Sequence, residues 1–74
     1  MNLNYQGPFG NTLLHGAVIS GDVREVKRLL AAGADPLIRN REGQTALQVA
    51  RLLDQRKACV VLSGAAAKAR PTPR

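Results

Sequence analysis

Tryptophan is absent from this 74-residue chain, and tyrosine, phenylalanine, cysteine and histidine occur once each. Each shortage removes a class of explanation. Without aromatics to spare, the core has to be built from Leu, Val, Ile and Ala. A lone cysteine forms no internal disulfide, and one Cys with one His cannot supply the four ligands of a structural zinc site. His15 shares no recognisable nucleophile motif with a Ser or Cys, so general-base chemistry has no partner to act on. Gly7, Gly10 and Gly16 lack the Lys and the preceding strand of a phosphate loop. No catalytic residue, cofactor or metal is therefore expected. No apolar run approaches the roughly 18 residues that span a bilayer, and "MNLNYQGPFG" lacks the basic and apolar regions of a signal peptide, which points to the cytosol or nucleus. "CVVL" at 59–62 is followed by twelve residues and cannot act as a prenylation box.

Acidic residues are also scarce, five against eleven Lys and Arg, for a net charge of +6. The imbalance is uneven. Asp22 is the only formal charge up to residue 23, whereas every Lys and Arg lies from Arg24 onward. Such a distribution favours acidic partners through long-range steering. Nucleic-acid or polyanion binding through the basic second half and tail is the alternative function, though the stacking aromatics of single-strand binders are missing.

What the chain does have is an echo. "GNTLLHGA" at 10–17 returns as "GQTALQVA" at 43–50, with Gly10, Thr12, Leu14 and Ala17 each repeated 33 residues later and His15 replaced by Gln48. In the first copy Thr12 stands at a helix N-cap and Gly21 at a stop. Asp22 with Glu25 three residues on forms a capping-box variant. Val23, Val26, Leu29 and Leu30 then make one apolar stripe at helical spacing, ended by Gly33 and Pro36. Residues 34–44 mix Asp, Pro, Asn and Gly as tight turns do. Thr45 caps a third helix, and "QRKACVVL" supplies a fourth short one before Ser63 and Gly64.

Two registers fit that last helix. A strict 33-residue offset pairs Cys59 with Val26 and Leu62 with Leu29. A turn one residue shorter pairs Asp54 with Asp22, Ala58 with Val26, and Val61 and Leu62 with Leu29 and Leu30; it restores a capping Asp and is preferred here. Cys59 reads as a small core residue, and Gly16 as a site of close helix packing. The alanines from Ala65 add at most a frayed turn of helix, since Pro71 and Pro73 forbid continuation, and residues 68–74 are expected to be disordered. Thr72 before Pro73 is a weak phosphorylation signal.

A helix–turn–helix unit repeating every 33 residues resembles the ankyrin repeat, a family marked by a Thr-Pro-Leu-His helix start, an inter-helix Gly, a Leu-Leu pair and a Gly-Ala-Asp exit. The first copy supplies Thr12, Leu14, His15, Gly21, Leu29, Leu30, Gly33, Ala34 and Asp35, with Leu13 in place of Pro. The second keeps Gly43, Thr45, Leu47 and Ala50 but lacks the Pro (Ala46), the His (Gln48), the inter-helix Gly (Asp54) and the Gly-Ala-Asp exit. The resemblance implies an all-α solenoid of two stacked ankyrin-like repeats, four short helices with a projecting β-turn, over residues 7–64 (repeats at about 7–39 and 40–64). Residues 1–6 would then be a flexible segment and 65–74 a basic, Pro-containing disordered tail.

It also implies a non-catalytic module, an adaptor or scaffold, binding another protein through β-turn tips and the concave inner-helix face. The tips would be Pro8 and Phe9 in one copy and Arg39, Asn40, Arg41 and Glu42 in the other. Partner contacts are expected from Phe9, Asn11, Ile19, Arg39, Arg41, Glu42, Gln44, Leu52 and Leu53. Structural roles fall to Thr12, His15, Gly21, Gly33 and Thr45, with His15 tying helix to turn. Arg39 and Arg41 on a projecting tip suit an acidic partner surface. Two repeats are fewer than the three or so that usually make a stable stack. With Leu13, Val60 and Val61 apolar and no polar cap evident, marginal stability, self-association or membership of a longer array is expected.

Overall fold

The computed structural model describes residues 4–69. Four helices carry the chain: α1 (Leu13–Ser20), α2 (Val23–Ala31), α3 (Ala46–Leu52) and α4 (Arg56–Ala69), preceded by a 3-10 turn at Pro8–Gly10. No strand occurs among the described residues. Helix α1 packs on α2 and α3 on α4, while α1 lies against α3 and α2 against α4. The result is two helical hairpins side by side, inner helices α1 and α3 in one layer and outer helices α2 and α4 in the other. Leu14, Val18, Val26, Ala50 and Leu62 are sealed at the centre.

The helix starts follow from local chemistry. Thr12 Oγ1 accepts from His15 N (3.4 Å), and Thr12 N donates to His15 Nδ1 (3.1 Å). Thr45 and Gln48 repeat both bonds at 3.3 and 2.9 Å. Both pairs are capping boxes in which the third-position side chain returns to the cap backbone. Asp22 makes only half of its expected box. Its carboxylate accepts from Glu25 N (3.2 Å), but the Glu25 carboxylate turns to Arg28 Nε (2.9 Å).

The preferred short-turn register is not the one adopted. Gly21 closes α1 at φ 77°, and Asp54 occupies the same left-handed place after α3 at φ 55°. Gln55, not Asp54, then stands at the start of α4. Its N–H donates to Ala50 O (2.9 Å), as Asp22 N does to Ala17 O (3.1 Å). Asp is among the few L residues that tolerate this conformation, so it fills the glycine's role instead of capping. The side-chain pattern is mixed, because Ala58 is sealed and Cys59 only partly buried, while Leu62 is fully buried as both registers require.

Three further expectations change. Helix α4 runs through Ser63 and Gly64 to Ala69, fourteen residues rather than a short segment ending at 64. Ala65 and Ala66 are partly buried, and the alanine-rich run carries the helix past two weak formers. Residues 65–69 of the expected disordered tail are thus helical, whereas residues 70–74, with Thr72, lie outside the described residues, as do residues 1–3. The expected flexible N-terminal segment is tied at two points. Asn4 Oδ1 accepts from Asp35 N (2.8 Å), and Gln6 Nε2 donates to Gly10 O (2.9 Å) and Arg39 O (2.6 Å).

The third is Gly16. It sits inside α1, exposed, and a Cβ there would meet nothing within 4 Å. No close packing calls for glycine. Gly16→Ala is accordingly expected to raise stability by about 0.5–1 kcal/mol, the ordinary helix-propensity difference. An unfolding midpoint that fell in urea would overturn this.

Candidate functional site

Two turns, 33 residues apart, build the tips. Gly10 N donates to Gly7 O (2.9 Å) and Gly43 N to Asn40 O (3.0 Å). Phe9 takes a left-handed φ of 61° and is 73% exposed. The tips touch where Arg41 N donates to Phe9 O (3.0 Å). A Cβ on Gly10 would lie 2.7 Å from Arg41 N, so the approach requires glycine.

Asn40 organises the second tip. Its Oδ1 accepts from Glu42 N and Gln44 N, both at 3.0 Å, and its Nδ2 donates to Asn11 Oδ1 (3.1 Å) across the repeat boundary. Sequence reasoning placed Asn40 at the tip without this role, although an Asn opening a turn is the signal for such a side-chain bond.

His15 makes a further link across the boundary. Nδ1 accepts from the Thr12 backbone, so the neutral imidazole carries its proton on Nε2, which donates to Gln44 O (2.8 Å). The expected stitch from helix to turn is therefore also a stitch from one repeat to the next. Gln55 adds another, Nε2 donating to Val18 O (3.0 Å).

The residues expected to meet a partner divide into two groups. Phe9, Ile19, Arg39, Arg41, Glu42, Leu52 and Leu53 are exposed. Asn11 and Gln44 are partly buried and engaged in the seam just described. Arg39 also braces its own tip, Nη1 donating to Gly43 O (3.0 Å). Thr12 and His15 are buried, Thr45 caps α3, and Gly21 and Gly33 take left-handed φ of 77° and 101° at helix ends.

Reading exposure at the 33-residue offset separates three surfaces. Ile19 and Leu52, like Ser20 and Leu53, are exposed in both copies, so they belong to a face that stacking leaves open. Leu13 and Gly16 are exposed, whereas their counterparts Ala46 and Val49 are buried; they mark the outer end of the first repeat. His15 and Val18 are buried, whereas Gln48 and Arg51 are exposed and mark the outer end of the second. That second end is polar, with Arg56 and Ser63 in the places of Val23 and Leu30. The expectation that no polar cap exists is corrected accordingly.

On the first end an open groove of about 870 Å³ runs past Tyr5, Phe9, Leu13 and Gly16 to Asp22 and Glu25. A smaller hollow of about 460 Å³ lies between the second tip and α3, lined by Glu42, Gln44, Gln48, Arg51 and Leu52. Among the described residues no cluster of His, Cys, Asp or Glu could hold a metal ion, and no helix is long and apolar enough to cross a membrane.

Comparison with known proteins agrees with the architecture. A family model described as ankyrin repeats (many copies) matches residues 1–50. The chain is 49% identical over 49 residues to Notch-regulated ankyrin repeat-containing protein A of Danio rerio, covering 66% of this chain and 44% of that protein. The Homo sapiens Notch-regulated ankyrin repeat-containing protein is 47% identical over 49 residues, with 66% and 43% covered. The Homo sapiens mitochondrial disaggregase is 52% identical over 50 residues, which is 66% of this chain but only 7% of that protein. The chain thus matches less than half the length of these relatives. With the family match, the two capped hairpins at a 33-residue offset and the His15 stitch, this chain belongs to the ankyrin repeat family.

Proposed function

We propose that this chain is a non-catalytic adaptor or scaffold module, in the cytosol or nucleus, that binds another protein through its tips and the ends of its inner helices. Ankyrin repeats are in general protein–protein interaction modules, and one observation supports this surface in particular. Ile19 and Leu52 stand one repeat apart, 54% and 70% exposed, with Leu53 beside them at 48%. Adjacent apolar side chains left open in successive repeats favour a contact surface. The tip cations Arg39 and Arg41 are exposed as well and favour an acidic partner. The sole nearby carboxylate on the tip is Glu42.

The test is affinity capture from a cell lysate, comparing the wild type with the double variant Ile19→Asp/Leu52→Asp. Both positions are exposed, so the melt should change little. Recovery of specifically bound proteins is expected to fall at least tenfold, about 1.4 kcal/mol or more of binding. Undiminished capture by a folded double variant would remove this surface from the proposal.

A further inference from the structure

We propose that copies of this chain stack end to end, the second repeat of one copy seating on the first repeat of the next. The proposal goes beyond the tip and inner-helix surface, using the two end faces instead, and either reading can fail alone.

The internal seam supplies the template. Across it His15 Nε2 donates to Gln44 O, which also accepts from Asn40 N (2.9 Å). Thirty-three residues earlier, Asn11 O accepts from Gly7 N (2.8 Å) in the same way. A carbonyl oxygen has two lone pairs, so Asn11 O keeps the acceptor site that His15 fills on Gln44. The donor half recurs at the opposite end. Gln48 Oε1 takes Thr45 N as His15 Nδ1 takes Thr12 N. Gln48 is exposed, holds the place of His15 in the repeat, and its amide nitrogen makes no hydrogen bond among the described residues. Each end of the molecule thus holds one half of the His15–Gln44 bond, one of those that join its two repeats.

Charge follows the same register. Gln55 packs against Val18 across the seam, its Nε2 on the Val18 carbonyl. One repeat further along in each case, Arg51 takes the place of Val18, and one repeat earlier Asp22 takes the place of Gln55. A stacked copy therefore brings Arg51 to Asp22. On the outer helices the second end carries Arg56, 3.8 Å from Asp54, and the first end Glu25, whose carboxylate Arg28 already engages, so the complementarity rests on Arg51 and Asp22. Beneath them Leu13 and Gly16 occupy the row that Ala46 and Val49 bury inside the molecule.

The tip contributes less to this junction. Gly7 and Pro8 replace Asn40 and Arg41 in the register, so neither the side-chain bond to Asn11 nor the N–H bond to Phe9 O has a counterpart. The contact then rests on the helices with the Asn11 carbonyl and Asp22 at their starts, and it is concentration-dependent. Because the two surfaces differ, it does not close on itself, and association continues past the dimer.

Sedimentation velocity on the full chain tests this, using Leu13→Gln to spoil the first end and Arg51→Glu to spoil the second. Both side chains are exposed, and circular dichroism melts check that the variants remain folded. For the wild type the weight-average mass is expected to rise beyond a dimer as concentration approaches about 1 mM. Each variant alone should associate at least tenfold more weakly. An equimolar mixture should form dimers and stop there, because it contains one intact junction. A monomeric wild type at the top concentration overturns the proposal. So does a mixture that stays monomeric, or an Arg51→Glu variant that associates like the wild type, which would indicate face-to-face pairing of the first ends.

Discussion

Replacing His15 with alanine lowers the unfolding free energy by about 3 kcal/mol, a loss made of two lost hydrogen bonds at about 1 kcal/mol each and the cavity left by a sealed ring. His15 is 1% exposed, and its two ring nitrogens serve the cap of α1 and the carbonyl of Gln44. A domain of this size has total stability on the order of 4–11 kcal/mol, so the variant gives up a large share of it. His15→Gln should recover roughly half, because Gln48 shows that a glutamine oxygen makes the same capping-box bond. Equilibrium urea unfolding followed by circular dichroism checks both. An alanine variant within about 0.5 kcal/mol of wild type would show that the seam contributes little.

Leu62→Ala is the second large loss, expected at 2–5 kcal/mol, in the range of fully buried leucines. Leu62 is 0% exposed and belongs to the cluster that includes Val26, Leu29, Val49 and Ala58. Val60 is the matched control, two residues away on the same helix and 74% exposed. Val60→Ala should stay within about 0.5 kcal/mol of wild type. Urea midpoints for the two variants decide the matter, and equal effects would mean that α4 does not pack with Leu62 inward.

The helix starts were legible in the sequence because they depend on neighbours three residues apart. Thr12, Thr45, Gly21 and Asp22 act on backbone groups within their own turn, so residue type and spacing suffice. The repeat itself was legible for the related reason that an offset of 33 copies those local signals twice. Asp54 was misread because the same residue type serves two conformations, an N-cap and a left-handed stop. Choosing between them depended on where Gln55 packs in three dimensions, its amide reaching the Val18 carbonyl. The end of α4 was misread in the same way, since Ser63 and Gly64 are weak helix formers whose cost the partly buried Ala65 and Ala66 help to offset.

Much of the candidate surface was also visible, since exposed apolar residues at helix ends stand out against the repeat. The roles of Asn11, Asn40 and Gln44 were not. Polar residues near a turn look alike in sequence whether they face solvent or a neighbouring repeat, and only the stacking distinguishes them. The polar second end was hidden for the same reason. Gln48, Arg51, Arg56 and Ser63 form no pattern until the positions that face along the stack are known.

The tautomer of His15 gives the molecule a built-in reporter. One imidazole proton, held between Nε2 and Gln44 O, belongs to neither hairpin alone. Its nuclear magnetic resonance signal would be lost when the two hairpins separate, even while each helix kept its own amide bonds. Seam opening and helix melting, which circular dichroism merges into one curve, would then be followed as two events.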